Sequence, residues 1–441
     1  MDQQTPSSPP NTGLSRRRFA ALAGGLVAAT AASRPAHAAD APRRTTRRRS
    51  VGTWAAVPTA VPAAGVTTVE DVTVRQLVHT SIGGSSLRLR LANEFGTQAL
   101  RLGEVHVARR DPDGPGTAIL PGTDRRVTFS GRTSATVPAG APMVSDEVPL
   151  RVPERSDLVI SIHLPERTPV TTLHAFAYQD NVVAAGNVTG AHRVTPTSTM
   201  AQWWFLSGVS VTTRKLAAGA VVALGDSITN GFETTVGANR RWPDRLAERL
   251  LARGRSELGV LNLGVAGNRL LHDPNPPAGS PAESYAAFFG QSALRRFDRD
   301  VLAQPGVEHV VVLLGVNDLG HPGTSAPLSE TVPAEDIIAA HRQLIARAHL
   351  AGLRIYGGTI TPFGGDTLGF YNATTAAARQ VVNRWIRTSA EYDAVVDFDA
   401  ALRDPADPER MLPRYDSGDH LHPNDAGMQA LADAVPLRLF R

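Results

Sequence analysis

Three side chains in this sequence are of the types that catalyse acyl transfer: a serine hydroxyl, an imidazole and a carboxylate. Ser227 follows Gly225-Asp226 directly after an apolar run, and Asp419 precedes His422 by three positions near the C-terminus. A serine hydroxyl is a weak nucleophile until a base takes its proton, and an imidazole held by a carboxylate suits that task. The spacing of Asp419 and His422 puts the two side chains within hydrogen-bond reach. These residue types indicate attack by a serine on an acyl carbonyl.

Two glycine turns elsewhere carry hydrogen-bond donors. The turn Leu263-Gly264-Val265-Ala266-Gly267-Asn268-Arg269 presents backbone N–H groups, and the turn Gly315-Val316-Asn317-Asp318 presents a side-chain amide. Each turn follows an apolar run, and ligands of open α/β sheets bind at such strand ends. Taken alone, each is also ordinary turn chemistry, just as a serine at a strand end is also an ordinary helix cap.

A metal site is the alternative use of the C-terminal motif. Asp416, Asp419, His420 and His422 carry atoms that zinc accepts as ligands. No second His/Glu pair at ligand spacing occurs elsewhere in the sequence, so serine chemistry is the favoured interpretation. The first α/β strand is not followed by the Gly-x-Gly-x-x-Gly fingerprint of dinucleotide-binding folds, and the Gly-x-Ser-x-Gly elbow occurs nowhere. We predict neither a cofactor nor a metal ion.

Alternating strands and helices must position these groups. After Lys215, apolar runs typical of buried parallel strands occur at 220–224, 260–263, 310–314 and 354–356. Apolar residues have helical spacing at 242–253, 334–351 and 374–392. We therefore predict a doubly wound α/β sheet over residues 218–441, with Ser227, Gly267 and Asn317 at the carboxyl ends of successive strands.

Residues 51–213 have a different pattern. Apolar and polar residues alternate at 87–91 and 158–164, and turn sequences such as Pro112-Asp113-Gly114 recur between such segments. Short alternating segments separated by turns are typical of antiparallel strands. We predict a β-sandwich domain over 51–213 that no convincing helix interrupts.

The first 50 residues have the pattern of an export signal. Ser15-Arg16-Arg17-Arg18-Phe19 is a twin-arginine element, an apolar stretch rich in Ala and Gly follows at 19–32, and Ala36-His37-Ala38 resembles a cleavage site. The apolar stretch is shorter than the roughly 20 residues of a membrane-spanning helix. We therefore predict a cleaved Tat signal peptide at 1–38 and no stable membrane anchor. An arginine-rich, solvated lead-in is predicted at 39–50, and the predicted location is extracellular, reached through the Tat export machinery.

Most of the excess positive charge lies in that N-terminal segment. The chain holds 45 Lys and Arg against 41 Asp and Glu, with a sequence pI near 9.8, but residues 51–441 hold 36 bases and 39 acids. The main part of the chain is therefore slightly acidic, and the composition gives no reason to expect nucleic acid as a partner. The absence of cysteine excludes disulfides, a thiol nucleophile and cysteine-ligated metal sites.

Four of these segments, in this order, resemble the sequence blocks of the SGNH/GDSL hydrolase superfamily: a Gly-Asp-Ser turn, a glycine turn, a Gly-x-Asn-Asp turn and a C-terminal Asp-x-x-His. The resemblance covers about residues 218–435 and implies a three-layer, flavodoxin-like α/β/α fold and hydrolysis of carboxylic esters. It implies Ser227 as the nucleophile, His422 as the general base and Asp419 as the residue that orients the base. It also implies an oxyanion hole formed by the backbone N–H groups of Ser227 and Gly267 and the side-chain amide of Asn317.

Two further features of the sequence bear on the resemblance. Ile228 stands where the family's name motif has leucine, which is a conservative change. The segments 77–84, 87–91 and 93–96 resemble the β-rich leader domain of a bacterial subgroup of these hydrolases that includes carbohydrate esterases.

Bulky and charged residues near the predicted site have two interpretations each. Trp203, Trp204 and Phe205 form either a sugar-binding platform or, as we favour, core between the two domains. Arg269 and His272 either contact substrate or belong to a solvated loop.

Three functions are consistent with the sequence. The leading one is a secreted serine esterase that acts on a small-molecule or polysaccharide ester, such as an acylated carbohydrate. The second is a lipase or phospholipase with the same three residues, although the sequence shows neither an apolar lid nor a long hydrophobic helix. The third is a non-catalytic carbohydrate-binding protein.

Overall fold

The alternating segments of the N-terminal half form antiparallel strands. In the strand Ser86–Ala92, for example, Leu87, Leu89 and Leu91 are fully buried while the arginines between them are half-buried. The strands of this half are β1 (Arg49–Ala55), β2 (Thr59–Ala60), β3 (Thr68–Val69), β4 (Val72–His79), β5 (Ser86–Ala92), β6 (Leu100–Leu102), β7 (Val105–Arg109), β8 (Arg125–Val127), β9 (Ala135–Val137), β10 (Pro142–Val144), β11 (Asp157–Leu164), β12 (Thr168–Pro169), β13 (Thr172–His174), β14 (Asn181–Ala185), β15 (Ser198–Met200), β16 (Trp203–Trp204) and β17 (Leu206–Thr213).

Most of these strands belong to two sheets that share a hydrophobic core. One sheet has the order β1-β17-β5-β10 and the other the order β15-β14-β4-β11-β7-β8, and all their pairings are antiparallel. Leu89 of β5 and Ile160 of β11 lie in the same buried cluster. This arrangement confirms the β-rich, sandwich-like prediction for the region, although β1 already begins at Arg49.

The second half is a parallel α/β sheet. Its strands are β18 (Gly219–Gly225), β19 (Leu258–Gly264), β20 (Val307–Leu313), β21 (Arg354–Gly358) and β22 (Ala394–Val396). Its helices are α1 (Ser227–Asn230), α2 (Trp242–Ala252), α3 (Ala293–Phe297), α4 (Val316–Gly320), α5 (Ala334–Leu350), α6 (Ala373–Thr388), α7 (Phe398–Leu402) and α8 (Asp425–Ala434). The spatial order β19-β18-β20-β21-β22 is the flavodoxin-like order, in which the first strand lies between the second and the third.

Side chains alternate between the two faces of this sheet, so helices cover both. Val222 of β18 packs in the same core as α5, whereas Val221 packs in a second core with α2 and α8. The three-layer α/β/α prediction is confirmed. Strand β22 was not predicted, because its three residues are too few for a periodic signal, and α6 ends four residues before the predicted end of that helix.

This computed structural model describes residues 48–215 and 217–440, which lie in one compact unit spanning 47–441. The predicted signal peptide and most of the predicted lead-in lie outside the described residues. Among the described residues, no helix combines the length and the apolar character that crossing a bilayer requires. The division into domains at 51–213 and 218–441 stays a prediction.

Candidate active site

Ser227 lies on a tight turn at the carboxyl end of the central strand β18. Asp226 caps the one-turn helix α1, because its carboxylate accepts a 3.0 Å hydrogen bond from the backbone N–H of Ile228. Ser227 is the first residue of that helix, so its own N–H has no partner within the helix. A side chain at Gly225 would meet the carbonyl oxygen of Leu313 in β20 at 2.9 Å, so the turn needs glycine there.

His422 and Asp419 approach Ser227 from the loop before α8. Nε2 of His422 lies 2.8 Å from Oγ of Ser227, and Nδ1 lies 2.5 Å from Oδ2 of Asp419. The other carboxylate oxygen of Asp419 accepts the backbone N–H groups of Leu421 and His422 at 2.9 and 2.8 Å, and the hydroxyl of Ser417 at 3.1 Å. The structure thus brings together the three residues that the sequence singled out.

These contacts keep the Asp419 carboxylate charged. Partial burial alone would favour the neutral acid, but hydrogen bonding and charge interaction with His422, helped by the backbone N–H groups, hold the pKa of Asp419 well below its usual range. A charged carboxylate at this position holds the proton of the imidazole on Nδ1 and leaves Nε2 free to accept a proton from Ser227.

The predicted oxyanion donors lie at the ends of the two strands that flank β18. Gly267 follows β19 with a positive φ of 74°, and its N–H donates to no acceptor among residues 48–215 and 217–440. Asn317 lies in the first turn of α4, is 3% exposed, and donates one amide hydrogen bond of 3.0 Å to the carbonyl of Asn268. That bond fixes the orientation of the Asn317 amide, and both groups line the same cavity as Ser227.

The sequence of this region matches a known family. A family model described as the GDSL-like lipase/acylhydrolase family matches residues 223–430, which run from β18 into α8. The α/β region of this chain is therefore similar in sequence to that family over the matched residues. The four sequence motifs predicted this resemblance, and the match confirms it.

Solved structures similar to this chain include members of the GDSL family and carbohydrate esterases. A lipase/acylhydrolase from Enterococcus faecalis is 17% identical, with 50% of this chain and 95% of that chain covered and a TM-score of 0.37. The acetyl xylan esterase AlAXEase is 20% identical, with 49% and 96% covered and a TM-score of 0.34. A carbohydrate esterase family 2 enzyme with a carbohydrate-binding domain, from Corynascus thermopiles (Myceliophthora fergusii), is 13% identical, with 88% and 97% covered and a TM-score of 0.37. No curated protein sequence matches the chain significantly.

The site around Ser227 opens into a cavity of about 360 Å³. Its lining holds Ser227, His422, Gly267 and Asn317, and otherwise consists largely of ring side chains: Phe176, Phe232, Tyr285, Phe289, His321 and Phe370. These rings could not be predicted from the sequence, because they come from five separate segments and follow no common spacing. Phe176 belongs to the β-rich region, so both halves of the chain contribute to the cavity wall.

A cluster of buried charges lies behind the GDSL turn. Burial and the neighbouring charge of Asp318 raise the pKa of Asp226 to about 7, and burial raises the pKa of Asp318 to about 6. Arg296, which is fully buried, donates hydrogen bonds to the carbonyls of Gly225 and Leu263 at 3.1 and 3.2 Å. It thereby ties together the ends of β18 and β19. Nothing in the local sequence around Arg296 signals this role.

The structure also shows the positions of the bulky and charged residues for which the sequence allowed two interpretations. Trp203 and Trp204 are 4% and 6% exposed, and Trp203 packs edge-on against Trp54 at 5.0 Å, so they are core and form no exposed sugar platform. Arg269 is buried in an ion pair with Glu330 at 2.7 Å, which leaves no free guanidinium for substrate. The remaining aromatic of the first group, Phe205, is buried, and His272 is half-buried.

The four residues of the alternative zinc site divide into two separate pairs. His420 binds Asp416 at 2.6 Å, while His422 and Asp419 bind each other and Ser227. Within the described part of the chain, no group of three or more His, Asp or Glu side chains is arranged to hold a metal ion.

Proposed function

We propose that this protein is a serine esterase that hydrolyses carboxylic esters through an acyl-enzyme intermediate. The observation that carries the proposal is the hydrogen-bond series from Asp419 through His422 to the Ser227 hydroxyl, which ends at an open cavity. In this proposal Ser227 is the nucleophile, His422 the general base and Asp419 the residue that orients the imidazole and stabilises its charged form.

The proposed reaction has two halves. Oγ of Ser227 attacks the ester carbonyl carbon as Nε2 of His422 takes the hydroxyl proton, and His422 then gives that proton to the oxygen of the leaving alcohol. Water attacks the resulting acyl-enzyme, His422 takes a proton from the water, and the proton returns to Ser227 as the carboxylic acid leaves. In both halves the negative carbonyl oxygen lies against the N–H groups of Ser227 and Gly267 and the amide of Asn317.

An acylated carbohydrate or another small acyl ester is the substrate that we propose. The likeness of the segments 77–84, 87–91 and 93–96 to the β-rich leader domain of a bacterial subgroup that includes carbohydrate esterases supports a carbohydrate as the alcohol part of the substrate. A lipase or phospholipase is the second candidate, and the aromatic lining of the cavity favours it, because such a lining suits apolar acyl groups. Non-catalytic carbohydrate binding is not favoured, since it gives no reason for a serine hydroxyl held by a His–Asp pair.

Labelling with a fluorophosphonate probe tests the proposed nucleophile. The probe forms a covalent bond to an activated serine oxygen and releases fluoride. We expect one label per folded chain on the peptide that contains Ser227, with labelling abolished in Ser227→Ala and retained in the matched variant Ser198→Ala, which alters an exposed serine of β15. Labelling of Ser227→Ala at the wild-type rate would contradict the assignment.

We also propose that residues 1–38 direct export through the Tat pathway and that the mature protein is extracellular. In a Tat-competent bacterial host, replacing Arg16 and Arg17 by lysine is expected to abolish secretion, and the wild-type secreted protein is expected to begin at Ala39. Unchanged secretion of the double variant would rule out this route.

A further inference from the structure

The cavity beside Ser227 has two aromatic walls, one that contacts His422 and one that contacts Gly267 and the end of α4. On one side, the rings of Phe289 and His321 lie 4.9 Å apart, and those of His321 and Phe370 lie 5.5 Å apart. On the other side, Phe232 lies 4.6 Å from the ring of His422, and Phe176 packs edge-on against Phe232 at 5.7 Å. We call these the Phe370 wall and the Phe232 wall.

The chemistry of ester hydrolysis distinguishes the two walls. The leaving alcohol oxygen must lie within reach of Nε2 of His422, because that nitrogen delivers its proton. The alcohol therefore lies on the side of His422, against the Phe232 wall. The carbonyl oxygen lies at the oxyanion donors, so the acyl substituent must extend to the opposite side.

The Phe370 wall lies directly beside the proposed oxyanion donors. Phe289 packs so closely on Gly267 that a side chain there would lie 2.1 Å from its ring. His321 caps the C-terminal end of α4, one turn after Asn317, and its N–H donates to the Asn317 carbonyl at 3.0 Å. An acyl group whose carbonyl oxygen contacts Gly267 and Asn317 therefore continues along the Phe370 wall.

This side of the cavity is mostly apolar and carries no charge: besides the aromatic rings it holds Leu368 and the neutral hydroxyl side chains of Thr324 and Ser325. Burial and the charge of Arg269 lower the pKa of His321 to about 3, so its imidazole is neutral and packs as a ring between two phenylalanines. Among the described residues that line the cavity, Asp419 is the single acidic one, and it binds His422 on the other side.

We infer that the Phe370 wall bounds an acyl pocket that selects apolar acyl groups of about six to eight carbons over acetyl. A cavity of about 150 Å³ already holds benzene, and the present cavity has about 360 Å³ for the acyl and alcohol parts together. An acetyl group would leave most of the Phe370 wall uncovered. The inference rests on the proposed esterase function and specifies which acyl group the site accepts.

An acyl-length series tests the inference while the alcohol is kept constant. The full chain is assayed with 4-nitrophenyl acetate, butanoate, hexanoate, octanoate and dodecanoate below their aggregation limits. We expect kcat/KM to rise about fourfold per added methylene up to hexanoate or octanoate and then to stop rising. A maximum at acetate would overturn the inference.

Paired variants locate the selection on one wall. Phe370→Ala is expected to lower the ratio of hexanoate to acetate kcat/KM at least tenfold, while Phe176→Ala, on the opposite wall, leaves that ratio within about twofold. If Phe370→Ala does not fold, Ser325→Leu, which adds bulk at a small residue of the lining, is expected to lower the same ratio. If the ratio of hexanoate to acetate kcat/KM drops for Phe176→Ala but not for Phe370→Ala or Ser325→Leu, the assignment of the walls is overturned.

The outcomes separate this inference from the proposed function. If the wild type hydrolyses 4-nitrophenyl acetate best and Ser227→Ala abolishes that activity, the proposed esterase function holds and the inferred acyl pocket is wrong. If no ester is hydrolysed, or hydrolysis does not depend on Ser227, both are wrong.

Discussion

Two carboxylates near Ser227 have opposite environments. Asp419 is partly exposed and accepts hydrogen bonds from the imidazole of His422, from two backbone N–H groups and from the Ser417 hydroxyl, and its pKa is lowered. Asp226 is fully buried, its Oδ2 has no partner among the described residues, and its pKa is raised to about 7. Only Asp419 is therefore a dependable negative charge that can stabilise a protonated imidazole.

We expect Asp419→Asn to lower kcat for ester hydrolysis by a factor on the order of 10³–10⁴, because an amide neither stabilises the imidazolium nor enforces the same tautomer. Steady-state kinetics with 4-nitrophenyl butanoate measure the effect. Asp416→Asn, which alters the neighbouring His–Asp pair, is the matched control and should stay within about tenfold of wild type. A similar loss in both variants would contradict the role of Asp419.

The raised pKa of Asp226 makes folding stability depend on pH. An unfolded aspartate titrates near pH 3.9, so between about pH 4 and pH 7 the native state binds more protons than the unfolded state. Stability therefore falls as pH rises through that window. In Asp226→Asn the side chain does not titrate, and its carbonyl oxygen can still cap α1. We expect the free energy of unfolding of this variant, relative to wild type, to rise by an amount on the order of 2 kcal/mol between pH 5 and pH 8.

Urea unfolding at the two pH values measures this difference. Asp318 titrates in both proteins, so comparing variant with wild type removes most of its contribution. A relative stability that is the same at pH 5 and pH 8 would show that Asp226 has an ordinary pKa.

At the scale of secondary-structure elements, close packing of strand ends sets the position of Ser227. The end of β19 contacts α1 so closely that a side chain at Gly264 would lie 2.1 Å from the backbone nitrogen of Asn230. Arg296 joins the ends of β18 and β19 through their carbonyls and also donates a 3.0 Å hydrogen bond to Asn268. The turn that carries the serine is thereby fixed by its neighbours.

Gly264→Ala tests this packing. The added methyl group must displace α1, so we expect a loss of at least about 1–3 kcal/mol in stability together with a lower kcat. Gly208→Ala is the matched control in a buried strand, because the nearest atom to its new methyl lies at an ordinary 3.6 Å. Equal effects of the two substitutions, by urea unfolding and kinetics, would argue against the close contact.

At the scale of the whole molecule, the β-rich region covers an edge of the parallel sheet. Strand β19 is an edge strand, and Oγ of Ser81 accepts a 2.9 Å hydrogen bond from the backbone N–H of Val260. A side chain at Gly259 would lie 2.1 Å from the carbonyl oxygen of Gly52 in β1. His174 of β13 contacts Asn230 of α1 through a 2.6 Å hydrogen bond. The β-rich region thus supports the same helix that carries Ser227.

We expect the two regions to unfold together. The helical far-ultraviolet signal reports mainly on the α/β region, while fluorescence reports on tryptophans of both regions, three of which lie in the β-rich region (Trp54, Trp203 and Trp204). In urea the two signals should give the same midpoint. Ser81→Ala leaves the N–H of Val260 unpaired. It should lower the midpoints of both signals by the same amount, equivalent to a loss of about 1–3 kcal/mol in the free energy of unfolding. Two separate transitions would contradict this coupling.

Much of the candidate site could be predicted from the sequence, because three of its residues follow strands of the parallel sheet and the other two lie in one loop, all within recognisable local patterns. Ser227, Gly267, Asn317, Asp419 and His422 each lie in a short motif, and the apolar runs located four of the five parallel strands. The cavity could not be predicted, because Phe176, Phe289 and Phe370 become neighbours only through the packing of distant segments. Arg296 was missed for the same reason: its hydrogen-bond partners are carbonyls of strands far from it in sequence.

The central claim is that Ser227, activated by His422 and Asp419, hydrolyses an ester bond. The most direct test is steady-state hydrolysis of 4-nitrophenyl butanoate by the wild type, Ser227→Ala and the control Ser198→Ala, each shown to be folded by circular dichroism. We predict turnover by the wild type and the control, and a loss in Ser227→Ala by a factor on the order of 10⁴ or more. Wild-type turnover by folded Ser227→Ala would contradict the account.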